Sequence, residues 1–138
     1  MPEPAYIGTS ALRREGRAKL TGAALYTDDL KIDGLLHGAT VRAKAPRGRV
    51  KAVHFEEGYP WHEFVIVQAA DIPGKNVVAH ILQDQPCLVD GLINHAEEAI
   101  VLLAHPDPHR VQDARARVRV EVEELPAVLG IEASLAED

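Results

Sequence analysis

Between Glu98 and Val128 the apolar period changes twice, and the changes divide the stretch into a strand, a helix and a second strand. Residues 99–104 are a continuous apolar run of strand length, the pattern of a strand covered on both faces. Asp107 then offers an N-cap carboxylate, and Pro108 takes the first helical position, where its missing N–H costs nothing. Val111, Ala114 and Val118 recur at helical spacing and predict a stripe that faces the first strand. From Val118 the period is two. Val118, Val120 and Val122 alternate with Arg119, Glu121 and Glu123, which predicts a half-exposed strand that Pro126 stops. If the two strands lie parallel in one sheet, the helix is a right-handed crossover between them.

Upstream, residues 36–43 and 50–55 read as strands joined by a turn at Ala45-Pro46-Arg47-Gly48-Arg49, and are expected as antiparallel neighbours. Residues 64–69 form a second continuous apolar run and predict a central strand, ended by Asp71-Ile72-Pro73-Gly74. Residues 77–82 and 91–94 read as short strands, with a loop containing Pro86 over residues 84–90. Residues 17–20 predict a helical turn, and residues 131–136 have weak helical character. Residues 1–12, with two prolines and no period, read as an arm. The expected fold is mixed α/β: one domain over residues 13–138, with a mixed sheet of about five or six strands and a β-α-β crossover near its C-terminal end. No internal repeat or low-complexity segment interrupts it.

At 138 residues the chain has room for one domain with a core of its own. An apolar fraction of 46% and a charged fraction of 26% are ordinary for a soluble globular protein, and no apolar run approaches the roughly 20 residues that cross a bilayer. Met1 leads into Pro2-Glu3-Pro4-Ala5 and not into a basic end with an apolar core, so no signal peptide and a cytoplasmic location are expected. A single cysteine, Cys87, excludes an internal disulfide and a multi-thiolate metal site within the chain. The net charge of −6 conceals a division: residues 1–51 carry ten Lys/Arg against five Asp/Glu, and residues 52–138 five against sixteen. The basic residues are neither interleaved with aromatics nor spaced along a helix face, so nucleic acid is not an expected partner.

Candidate chemistry is sparse. His105 and His109 flank Asp107 at a spacing that can share a helix face, but His105 precedes the N-cap, and a solvent-facing pair is the expected arrangement. Strand alternation puts His95 and Glu97 on one face without a third ligand. Cys87 has no base in its local sequence and reads as a half-buried loop residue. Ser10 and Ser134 lie in no nucleophile elbow, and no glycine run has a dinucleotide or phosphate-loop fingerprint. The acid pairs Asp28-Asp29, Glu56-Glu57 and Glu97-Glu98 are sequence neighbours, better suited to solvent or to capping than to cooperating as acid and base. A histidine-based hydrolase needs at least three of these groups in one cleft, and the spacing offers none. The residues predict no catalytic, cofactor-binding or metal set.

Local structure leaves the residue order of 13–30 unexplained. Arg13, Glu15, Gly16, Lys19-Leu20-Thr21-Gly22, Ala24, Tyr26, Thr27 and Asp29, followed by Leu36-His37-Gly38-Ala39 and Arg42, resemble the opening of the molybdenum-binding large subunit of the xanthine dehydrogenase and aldehyde oxidase family. Asp71-Ile72-Pro73-Gly74 with Asn76, the strand near residues 97–104, its helix, and Val122-Glu123-Glu124-Leu125-Pro126-Ala127-Val128 follow in the order of that family's a/b hammerhead domain. The resemblance spans residues 8–135. It implies a structural, N-terminal part of a large subunit, inactive alone, because the family's molybdenum-pterin cofactor and its base lie in later domains. It implies as partners those remaining domains together with iron–sulfur and FAD subunits or domains, and as substrates purines, aldehydes or N-heterocycles. Arg13, Lys19, Gly22, Tyr26, Asp29 and Arg42 are then structural or inter-domain contacts: Gly22 for close backbone approach, Tyr26 and Asp29 to fix a loop, Arg42 at a strand end. Two departures, Ala96-Glu97-Glu98-Ala99 and Ala43-Lys44-Ala45-Pro46-Arg47-Gly48, point to a divergent, bacterial-type branch. The alternative is a free-standing binding or assembly module that reuses the fold.

Overall fold

The computed structural model describes residue 8, residues 10–78 and residues 81–136, so most of the expected arm lies outside the described residues. Two compact units result, Met1–Leu35 and Leu36–Asp138. In the first, helix α1 (Gly16–Leu20) is followed by a 3₁₀ turn at Thr27–Asp29, and neither buries a residue.

The second unit holds six strands: β1 (His37–Arg42), β2 (Gly48–Phe55), β3 (Val65–Val67), β4 (Leu92–Ile93), β5 (Ala99–His105) and β6 (Val118–Glu124). Helix α2 (Pro108–Ala116) joins β5 to β6, and α3 (Ile131–Ala136) ends the described chain. The fold is mixed α/β with few helices, as the periodicities predict, but the strands are divided between two antiparallel sheets, β1-β5-β3 and β4-β2-β6. Strands β5 and β6 therefore share no sheet, and α2 is a bridge between sheets instead of a crossover within one. The reason is occupancy: β1 and β3 take both edges of β5, so the chain leaving α2 finds its free edge on β2.

Strands β1 and β2, which the sequence suggested as neighbours, lie in different sheets. Beyond Arg42 the chain stays bonded to the segment ahead of β5, with Ala43 N donating to Glu98 O and Glu97 N to Ala43 O, each at 2.8 Å. Ala43 and Ala45 are both buried, and these small side chains let the chain cross closely from one sheet to the other. The run 64–69, expected as a central strand, gives three residues at a sheet edge, because the 3₁₀ turn Ala69–Asp71 closes it. Of the short strand expected over 77–82, the described residues show one bridge, Val78 with Gln85; residues 79 and 80 lie outside them.

The core lies between the sheets and under α2. Val101, Leu103 and Ile93 are fully buried; Val111 and Ala114 of α2 pack with Ala39 and Val41 of β1, and Val50, Val53, Val118, Val120 and Val122 close the second sheet over them. Phe55, Trp61, Tyr59 and Phe64 seal one end, with Phe55 and Trp61 edge to face at 5.0 Å. Strand β5 is not covered on both faces as its run of apolar residues predicts: Leu102 is 39% exposed. In register with it, Thr40 and Val67 share that outer face.

Gly48, the first residue of β2, is buried where a Cβ would stand 2.6 Å from Val122 Cγ1 and 2.9 Å from Glu123 O. Gly48→Ala is expected to cost about 1–3 kcal/mol, because the obstacle includes backbone that cannot rotate away. Gly74→Ala, with open space at its Cβ, should stay within about 0.5 kcal/mol of the parent. Urea denaturation of the two variants checks the contrast, and equal midpoints would contradict it.

Candidate functional site

The motif residues Lys19-Leu20-Thr21-Gly22 build a helix stop. Ala23 N donates to Ala18 O at 2.8 Å and Gly22 N to Lys19 O at 3.4 Å, the paired bonds of a Schellman end, with Gly22 at φ +72. A Cβ on Gly22 would meet nothing within 4 Å. The left-handed backbone accounts for this glycine, and no close approach to it is made among the described residues. Lys19 lies 3.3 Å from Glu15 and 5.9 Å from the Tyr26 ring centroid, and Arg13 lies 3.9 Å from Glu15. Asp29 Oδ2 accepts from Tyr26 N at 2.9 Å while Asp29 N donates to Tyr26 O at 3.0 Å, which locks the turn between them. Asp71 does the same for Gln68. These acids satisfy backbone N–H groups, and that is the physical reason for an Asp at the third position of each turn.

Arg42, in the second unit, donates from Nη1 to Glu97 O at 2.8 Å. Glu97 has φ +68, the one non-glycine residue with positive φ among the described residues. Next to it the Glu98 carboxylate, 7% exposed, accepts from Asn94 N at 2.6 Å and His95 N at 3.4 Å, with His95 Nε2 at 3.6 Å. His95 and Glu97 are thus in a loop and do not share a strand face. The loop is held by one buried acid, one arginine and the Ala43 backbone.

Other expected chemistry is dispersed. His105 is buried, 4.7 Å from the Phe64 ring, with Nδ1 accepting from Asp107 N at 2.9 Å, whereas His109 is exposed. They form no solvent-facing pair, because His105 is an inward residue of β5 under the aromatic cluster. Asp107 caps α2 through His109 N at 2.7 Å and Arg110 N at 3.3 Å. The His109 N–H is the main cause that holds the Asp107 carboxyl below its ordinary value. Arg117 is held protonated by its hydrogen bonds to Asp113 and then Glu56, and burial raises the Tyr59 phenol, whose OH donates to Asp113 at 3.1 Å. Cys87 is exposed and not half-buried; its neighbour Leu88 is the residue that turns inward, held by Asn76 Nδ2 to Leu88 O at 2.6 Å and Leu88 N to Asn76 Oδ1 at 3.0 Å. Among the described residues no three His, Cys, Asp or Glu side chains are placed to hold a metal ion.

A comparison with known families decides what the arrangement belongs to. The sequence model described as "Aldehyde oxidase and xanthine dehydrogenase, a/b hammerhead domain" matches residues 21–126. The chain belongs to this family. Among curated relatives, the hammerhead chain is 27% identical over 133 residues to the nicotinate dehydrogenase large molybdopterin subunit of Eubacterium barkeri, covering 96% of the chain and 31% of that subunit. It is 30% identical to the aldehyde oxidoreductase of Megalodesulfovibrio gigas, covering 95% of the chain and 16% of the relative. Among solved structures, quinoline 2-oxidoreductase from Pseudomonas putida 86 superposes with a TM-score of 0.81 at 30% identity, covering 95% of the chain and 18% of that protein. The hammerhead chain spans a third or less of the relatives it matches, and so corresponds to a small structural domain of molybdenum hydroxylase large subunits.

Within the hammerhead, Asn76, Glu98 and His105 each hold a loop through hydrogen bonds to backbone groups. The signal that could have found Glu98 is the acid three and four residues after two exposed N–H groups in a turn. Replacing Glu97 with Gly removes the left-handed penalty and is expected to stabilise the domain by about 0.5–1 kcal/mol, with the Arg42 contact to the backbone carbonyl kept. A lower denaturation midpoint in E97G would contradict this. Because the folded Asp107 carboxyl titrates below its unfolded value, its cap stabilises above the ordinary carboxylate range and fades as pH falls through the depressed value. Asp107→Ala should therefore lower the melting temperature at pH 7 and have a progressively smaller effect toward pH 2, as circular dichroism can follow.

Proposed function

We propose that this chain serves as the structural hammerhead domain of a molybdenum hydroxylase large subunit and has no activity alone. On this reading residues 13–138 form the domain, and the rest of the subunit supplies the molybdenum-pterin cofactor and the catalytic base. Iron–sulfur and FAD subunits or domains complete the complex, in the cytoplasm, and the substrate is a purine, an aldehyde or an N-heterocycle. Arg13, Lys19, Gly22, Tyr26, Asp29 and Arg42 shape the loops that meet those domains. The observation that carries the reading is the family match over residues 21–126 in a chain that spans 31% or less of its relatives. Relatives named as a large molybdopterin subunit, a molybdenum-binding subunit and a subunit of a dehydrogenase complex support the assembly.

Exposed apolar surface supports it physically. In the first unit Leu12, Leu20, Leu25 and Ile32 are each more than 60% exposed, a dense series for so short a segment. In the second, Leu102 and Val65 stand on the outer face of β1-β5-β3. No helix among the described residues is long and apolar enough to cross a membrane.

Leu102→Glu should cost the isolated chain about 1 kcal/mol, since the side chain is only part covered, but should prevent a separately expressed remainder of the large subunit from co-purifying with it. Metal analysis of the isolated chain should find no stoichiometric molybdenum. Bound molybdenum, turnover by the isolated chain, or a coding sequence that stops without a molybdenum-binding region would each overturn the proposal; the last would favour a free-standing module.

A further inference from the structure

Strand β6 pairs only with β2 among the described residues, which leaves its other edge bare. Glu56 N donating to Arg117 O and Leu125 N to Arg47 O bracket the ladder, so the odd residues of β6 bond to β2. The N–H and C=O groups of Val118, Val120 and Val122 consequently point the other way. These three valines line a groove of about 530 Å³ together with Val41–Ala45, at the end of β1, itself an edge strand. The floor is small and apolar, made by Ala43, Ala45 and the three valines. The rim is cationic: Lys44 and Arg119 line this groove, and Arg115 lines the adjoining one, which shares Val41, Arg42, Lys44, Ala116 and Val118 with it. Among the described residues no ion pair engages Lys44, Arg115 or Arg119, and two of the five basic residues in an otherwise acidic stretch, 52–138, stand here. Glu97 and Glu124 also reach the two grooves, so the surplus is cationic without being uniform.

We infer that an extended, acidic segment from the remainder of the large subunit lies in this groove as an added strand on β6. Open backbone groups along one wall fit a single strand, the valine and alanine floor fits alternate small side chains, and the unpaired cations fit carboxylates on the others. The chain covers 31% or less of its relatives' length, and in a subunit of that length the remainder would supply the segment. This inference rests on the reading of the chain as part of that subunit.

Residue-resolved amide hydrogen exchange, comparing the 138-residue chain with the intact large subunit, tests it. The amides of Val118, Val120 and Val122 should slow at least about tenfold in the intact subunit, while those of Arg119, Glu121 and Glu123, already bonded to β2, should change little. A Lys44→Glu, Arg119→Glu double variant of the intact subunit should lose the added protection at the three valines and keep the protection of Glu121 and Glu123, which reports that the sheet is folded. Equal valine exchange in the two proteins overturns the added strand while leaving the domain reading intact. Full protection in the double variant overturns the acidic character of the occupant. Concentration-dependent protection in the isolated chain points to a second copy and also overturns the proposal, and a gene without a molybdenum-binding region overturns both readings.

Discussion

Strand β5 has a neighbour on each edge, and that occupancy dictates the path of the rest of the second unit. With β1 and β3 antiparallel to it on either side, no strand can return beside it, so the chain that runs through α2 joins the second sheet at the free edge of β2. Val101 and Leu103 point to the inner side, and α2 and the second sheet are placed over them. Burial of these side chains, each worth about 1.5–3 kcal/mol before entropy is counted, drives the closure of two small sheets that would be marginal apart.

The joints between the sheets are made by loops whose polar groups are satisfied locally. Glu98 takes the N–H groups of Asn94 and His95, Asn76 spans to both backbone groups of Leu88, and Asp71 ties back to Gln68. Each is a short polar side chain that replaces water at a turn that the fold partly encloses. The family motifs, read this way, are chain-bending devices. Thr21-Gly22 ends a helix, Asp29 closes a turn, and Asn76 with the Asp71 turn fixes the approach to Leu88.

Local pattern was enough for the elements whose period is set by a single buried face. The cap at Asp107, the proline after it, the valine alternation of β6 and the weak C-terminal helix all stand where the residues put them. Partnership was not readable, because strand pairing depends on which edges are already taken, and hydrophobic alternation in β2 does not distinguish β1 from β6 as its neighbour. The inward turn of His105 follows from alternation with Val101 and Leu103, whereas its neighbour Phe64, from a distant segment, was not readable. The family resemblance rested on residue order, which survives where pairing information is absent.

Trp61 is the one tryptophan in the chain, and its surroundings join the two sheets. Its ring meets Phe55 of β2 on one side and Phe64, at the threshold of β3, on the other, while its indole N–H donates to Glu56 O at 2.8 Å. A lone indole seated across the seam is an intrinsic optical gauge of whether the two sheets are mated.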